Sequence, residues 1–202
     1  MGRICQTSLP ICKRFEEIVE ENMTKISEIS AKAIDFWRAA GGKTWFSKSD
    51  EFDAKMAATF SDDLLYLETI NLPEHFANST DAYGILGIIL CLDQFRRNLN
   101  RSSGKAFAFD DQALTLSRQM IENKLHLEID KDIRMFAYMP YMHSEELSVQ
   151  QEALVLFDNS EFAVIHYDLI KKYGRFPHRN EVLGRKSTAA ELEFLKTDGF
   201  KG

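Results

Sequence analysis

Asp81-Ala-Tyr-Gly-Ile-Leu-Gly-Ile-Ile-Leu-Cys-Leu-Asp-Gln-Phe-Arg-Arg-Asn-Leu99 decides how the rest of the chain is read. From Ile85 to Leu90 it is apolar nearly all round, as in helices that lie at the centre of a fold. Leu86, Leu90, Asp93, Arg97 and Arg101 advance by three or four, so they share one helical stripe that begins apolar and turns charged. Ile88, Leu92, Phe95 and Leu99 make an apolar stripe beside it. The stretch predicts a buried central helix whose last turns carry ionised groups into the interior. Asp93 and Arg97, four apart, can pair. Such a pair is either a structural tie to neighbouring helices or the wall of a polar pocket.

The same period continues outward. Ile26, Ile29, Ala33 and Trp37, preceded by Phe15, Ile18 and Val19, predict a first helix ending at Gly41-Gly42. Phe52, Met56, Phe60 and Leu64 predict a second, broken by Asn71-Leu-Pro73. Residues 110–123 predict a fourth. Residues 133–139 predict a short helix halted by Pro140. Residues 150–173 predict a long one, interrupted near Asn159-Ser160 and closed by Gly174. Thr188-x-x-Glu191 and Ser148-x-x-Gln151 have the form of capping boxes. No segment alternates as a strand does. The reading is all-α, with successive helices stacked as antiparallel hairpins. Residues 1–30 read as an N-terminal extension, loose over the first dozen and then helical, and residues 31–202 as one helical domain.

Composition bounds the function. The chain has 202 residues, 45% of them hydrophobic and 28% charged, with a net charge of −6, which argues against a nucleic-acid partner. Cys5, Cys12 and Cys91 form neither a disulfide framework nor a zinc pattern, so reduced thiols and a cytoplasmic setting are expected. No apolar run is long enough to cross a membrane or to serve as a signal peptide. His143, His166 and His178 are irregularly spaced and lack accompanying cysteines, so neither a metal nor another cofactor is expected.

Chemistry-bearing residues fall in three places besides the central helix. Tyr138-Met-Pro-Tyr-Met-His-Ser-Glu-Glu146 sets His143 beside Glu145 and Glu146, which suit either a helix N-terminus or proton transfer. His166 lies on an apolar helix face, where a core histidine with a hydrogen-bond partner is the ordinary case. Tyr173-Gly-Arg-Phe-Pro-His-Arg-Asn-Glu-Val-Leu-Gly-Arg-Lys-Ser-Thr188 is basic within an acidic protein. Phe176 calls for burial and Pro177 stiffens the loop, so Arg175, His178, Arg179 and Arg185 should be held in place, where guanidiniums suit carboxylate or phosphate.

Leu92-Asp-Gln-Phe-Arg-Arg-Asn-Leu99, Lys105-Ala-Phe-Ala-Phe-Asp110, Tyr138 to Glu145 and Gly174 to Thr188 resemble a bacterial family catalogued as domain of unknown function 924. Asp35-Phe36-Trp37 and Trp45-Phe46 resemble its opening motif, and the likeness runs from about Ile34 to Phe200. The resemblance implies a tetratricopeptide-like helical superhelix and no established activity. Its signature residues fall on Asp93, Gln94, Arg97, Asn98, His143, Ser144, Glu145, His166, Arg175, His178, Arg179, Asn180 and Arg185. Arg96 stands where the family usually has proline, and Asn100 where it has an aromatic.

These residues are expected to converge on a polar pocket. The first expectation is a helical-repeat protein binding a small anion, or an acidic segment of a partner, through Asp93, Arg97, Asn98, His166, Arg175, His178, Arg179, Asn180 and Arg185. The second is an enzyme, for instance a hydrolase, with His143 and Glu145 in acid–base roles and arginines steadying an oxyanion. The third is a purely structural network. Arg179 is expected to face Arg97 or His143, neutralised by Asp93 and Glu145 or by a ligand.

Overall fold

A computed structural model describes residues 9–197, and these contain helices and turns but no strand. Helix α1 (Leu9–Ala40) leads through α2 (Gly42–Trp45), α3 (Asp50–Leu67) and α4 (Leu72–His75) to α5 (Ala82–Ile89). A π-helical stretch, Leu90–Phe95, joins α5 to α6 (Arg96–Leu99). Then come α7 (Asp110–Glu122), α8 (Met139–His143), α9 (Leu147–Leu156), α10 (Glu161–Tyr173) and α11 (Ala189–Lys196), with short 3-10 turns between them. The expected looseness of the first dozen residues falls largely outside the described ones. No described helix is long and apolar enough to cross a membrane.

The central stretch is buried as its composition demands. Ile85, Leu86, Ile88, Ile89, Leu90, Cys91, Leu92 and Phe95 are all essentially inaccessible. Helix α5 packs along α1 and also meets α7. The α1 contact is close because Gly87 has no side chain: a Cβ there would collide with the backbone of Ser30. The Ser30 hydroxyl donates to the carbonyl of Gly84 at 2.7 Å, across the same contact. Val19, expected on the buried face of α1, is 41% exposed.

The aromatic motifs form one cluster. Trp37 stacks on Trp45 at 6.1 Å and meets Phe136 edge-on at 5.4 Å. Trp45 Nε1 donates to the Trp37 carbonyl at 2.7 Å, which ties α2 back onto α1. Phe60 and Phe95 lie 4.7 Å apart beneath them.

Caps set the boundaries. Asp81 Oδ1 accepts from Gly84 N at 2.8 Å and starts α5. Thr188 and Glu191 form the expected capping box of α11. Asp158 and Asn159, both at positive φ, separate α9 from α10, which Ser160 caps. Gly174, at φ 70°, closes α10 in the left-handed region. Two boundaries differ from expectation. Pro140 begins α8 instead of halting a helix, because a first-turn residue needs no hydrogen-bonded N–H. Ser148 lies inside α9, which Glu146 precedes, so no box forms there.

Candidate functional site

The site begins at the π-helical stretch. Helices commonly depart toward π geometry at functional positions. Here the departure lies immediately before Arg96, so it exists without proline. Arg96 itself is buried, donating to Glu68 at 2.8 Å and to the Leu64 carbonyl at 2.9 Å, with its guanidinium 4.0 Å above the Phe109 ring. The turn sets Asp93 in the interior, fully inaccessible. Its Oδ2 accepts from Gln94 Nε2 at 2.6 Å. Its Oδ1 lies 3.3 Å from Arg97 Nη2 and 2.7 Å from His143 Nδ1. Burial opposes ionisation of Asp93, but Arg97 and His143 outweigh it and hold the carboxyl well below the usual range.

Arg97 reaches a second carboxylate. Its Nη1 and Nη2 donate to Oδ1 and Oδ2 of Asp110 at 2.8 and 2.9 Å, a bidentate fork. Asp110 opens α7 and also accepts from Arg179 Nη1 at 3.3 Å. Arg179 therefore does face Arg97, across Asp110. The neutralising group is Asp110, which was not expected as a site residue although it ends one of the quoted motifs. Phe107 was missed with it. The Arg179 guanidinium lies between two rings, 4.4 Å from the Phe107 centroid and 4.6 Å from that of Phe176. Its residue is 6% exposed, and its buried Nε has no hydrogen-bond partner. Burial and the nearby Arg97 lower its pKa to about 10.

The histidines gather at the same place. Gln150, buried in α9, donates to the carbonyls of Met142 and Ser144 at 2.7 Å each and so holds the end of α8 that carries His143. His143 and His166 lie 6.4 Å apart, and Phe176 lies 5.5 Å from both His166 and His178. His166 Nδ1 donates to the Phe162 carbonyl at 2.7 Å. Burial, then the charge of Arg97, lowers the pKa of His143 against the pull of Asp93. Burial lowers His166 and His178 to about 4, with Arg179 adding to the effect on each. Among the described residues, no group of three or more His, Cys, Asp or Glu is disposed to hold a metal ion.

The remaining expected residues have other partners. Glu145 is held by Arg185 through contacts of 2.6 and 3.0 Å and accepts from Phe176 N at 2.8 Å. Burial raises the Glu145 pKa, but these donors outweigh it and lower it. Arg185 also donates to Asn180 Oδ1 at 2.9 Å and the Phe176 carbonyl at 3.1 Å, while Asn180 donates to Ser187 at 3.0 Å. Arg175 pairs with Glu191 at 2.7 and 2.9 Å, and its hydrogen bonds hold that carboxyl well below the usual range. These four residues brace the loop to α8 and α11. Asn98 lies apart from the cluster, donating to Asp53 at 2.9 Å, because its side chain projects from α6 toward α3, as does that of Arg101. The loop from Tyr173 to Thr188 is thus anchored, with Phe176 fully buried, and brings Arg179 against Asp110.

Arg97, Asp110 and His143 keep 18%, 20% and 16% of their side chains exposed, so the cluster reaches solvent along that edge. Two grooves, of about 730 Å³ and 380 Å³, lie elsewhere along α1 and do not involve these residues.

No curated protein matches the chain. A solved structure, that of the protein of unknown function ATU0120 from Agrobacterium tumefaciens, superposes with a TM-score of 0.77 at 30% sequence identity, covering 84% of this chain and 97% of that one. The profile of DUF924, described as bacterial protein of unknown function, matches residues 33–199, the span that carries the aromatic motifs, the central helix, the histidine cluster and the basic loop. The chain belongs to this family of bacterial proteins of unknown function.

Proposed function

We propose that this protein is a cytoplasmic helical protein, tetratricopeptide-like in its stacking, that takes a small anion at Arg179. The observation that carries the reading is the sharing of Asp110. Two guanidiniums, that of Arg179 buried and that of Arg97 partly so, meet one carboxylate, and Arg97 already holds both of its oxygens. Arg179 keeps a single 3.3 Å contact and a buried Nε without a partner. An incompletely compensated buried cation favours an incoming anion, since breaking or completing such a pair has large energetic weight. The recess of Arg179 between Phe107 and Phe176 supports a small ion over an acidic peptide segment, which needs an open groove. Arg97, Arg175 and Arg185 each hold a carboxylate of their own, which supports a bracing role for them.

The test is thermal unfolding in the presence of phosphate, sulfate and small carboxylates. An anion that binds the folded state stabilises it by about 2.7 kcal/mol at a hundredfold excess over its Kd. Arg179→Leu should abolish that gain and keep the fold, because Arg97 and Asp110 remain paired. Equal responses from wild type and variant would refute the reading.

A further inference from the structure

His143 is tied to a carboxylate fifty residues earlier in the chain. An ionised Asp93 can only accept, so His143 Nδ1 is the donor and the ring's lone pair lies on Nε2. Both Asp93 oxygens are engaged, Oδ2 by Gln94 and Oδ1 by His143 and Arg97, so the carboxylate is fixed in place. Its side chain is 1% exposed, against 16% for His143. The imidazole thus links a buried, immobile carboxylate to the solvent-facing edge of the cluster. The groups that act on the ring electrostatically are Asp93, Arg97 and Arg179, and it acts in turn on His166 and His178. Glu145, the expected acid–base partner, is engaged by Arg185 and the Phe176 N–H.

We propose that Asp93 and His143 form a proton-accepting pair beside the anion site, in which Nε2 of His143 takes a proton from a water or hydroxyl next to an anion held at Arg179. In that step an O–H bond breaks and an N–H bond forms at Nε2. The oxygen keeps the electron pair as a nucleophile, and the new imidazolium is paired with Asp93. Asp93 is a positioning residue: it sets tautomer and orientation, as a buried carboxylate does for a catalytic histidine. The substrate class is an anion that carries either a hydroxyl or an ester open to water. The location of the substrate rests on the anion reading, while the pair itself rests on its own geometry. Arg97 and Arg179 disfavour imidazolium, and a bound anion would offset them. Substrate would therefore strengthen the base it needs.

The test joins imidazole nitrogen NMR with diethyl pyrocarbonate labelling mapped by mass spectrometry, both on the full chain. At neutral pH His143 should be the Nδ1–H tautomer and should be acylated faster than His75 and His126. Sulfate should raise its titration midpoint and slow its labelling. Asp93→Asn removes the carboxylate charge that pairs with the imidazolium, whichever way the amide faces its Gln94 and Arg97 donors. Labelling of His143 should then fall at least about tenfold with the circular dichroism unchanged. If that variant does not fold, the wild-type tautomer and labelling rate decide. A wild-type Nε2–H tautomer, or His143 labelled no faster than His75, would overturn the pair. Should sulfate neither stabilise the protein nor move the midpoint while tautomer and reactivity hold, the anion site falls and the pair stands without it.

Discussion

Acidification should destabilise this protein before its carboxylates begin to protonate. Burial lowers His166 from about 6.5 to about 4 in the fold. A lowered histidine contributes stability while it is neutral in both states. That contribution is lost as pH falls through the unfolded value toward the folded one, because the unfolded chain then binds a proton that the native state refuses. Each pH unit inside that window costs about 1.4 kcal/mol for one such group. From about pH 7 to about pH 5, His166 alone accounts for a loss on the order of 2 kcal/mol, with His178 and His143 adding in the same direction. Asp93 and Glu145 are shifted the other way, below the usual carboxylate range, so their contributions are lost only at lower pH, outside this window. Urea unfolding at the two pH values measures the difference, and His166→Gln should remove its share of the slope. A stability unchanged from about pH 7 to about pH 5 would refute the burial of neutral histidines at this site.

Phe176→Ala should destabilise the protein by about 3–5 kcal/mol with or without anion, since the ring is fully buried beneath the loop; chemical denaturation measures it. Asp110→Asn leaves Arg97 and Arg179 without their shared charge and should cost about 3–5 kcal/mol, a loss that added sulfate partly restores in thermal unfolding. Gly87→Ala must push α5 off α1 at Ser30 and should lower stability by about 1–3 kcal/mol, read from the urea midpoint. Thr188→Ala removes one half of the α11 capping box and should cost about 1 kcal/mol by the same measurement.

What local chemistry governs was legible in the sequence. The 3.6-residue period marks helices because it is a property of neighbouring residues, and it identified the central rod from Ile85 to Leu90. Gly174 and Thr188 end or begin helices through bonds to residues three or four away, so their types and spacings are enough to see them, and Asp81 and Ser160 cap their helices over the same short reach. Pro140 was ambiguous for the same local reason, since proline both stops a helix and suits its first turn. Phe176 and Pro177 marked the basic loop as held, and the burial of Phe176 agrees.

Which charges meet was decided by tertiary structure. Asp93 and His143 are fifty residues apart, and Asp110 and Arg179 sixty-nine. No periodicity connects such positions; only the packing of α7, α8 and the loop around the π-helical turn does. Asn98 shows the converse, lying one residue from Arg97 yet turned toward Asp53 on α3, because successive residues of a helix point about 100° apart. An arginine's charge is evident from its name, but whether it is answered depends on how many carboxylates the fold brings within about 4 Å. Here the fold brings two guanidiniums to Asp110 and leaves Arg179 with the weaker hold on it, an arrangement invisible along the chain that makes Arg179 the residue to test.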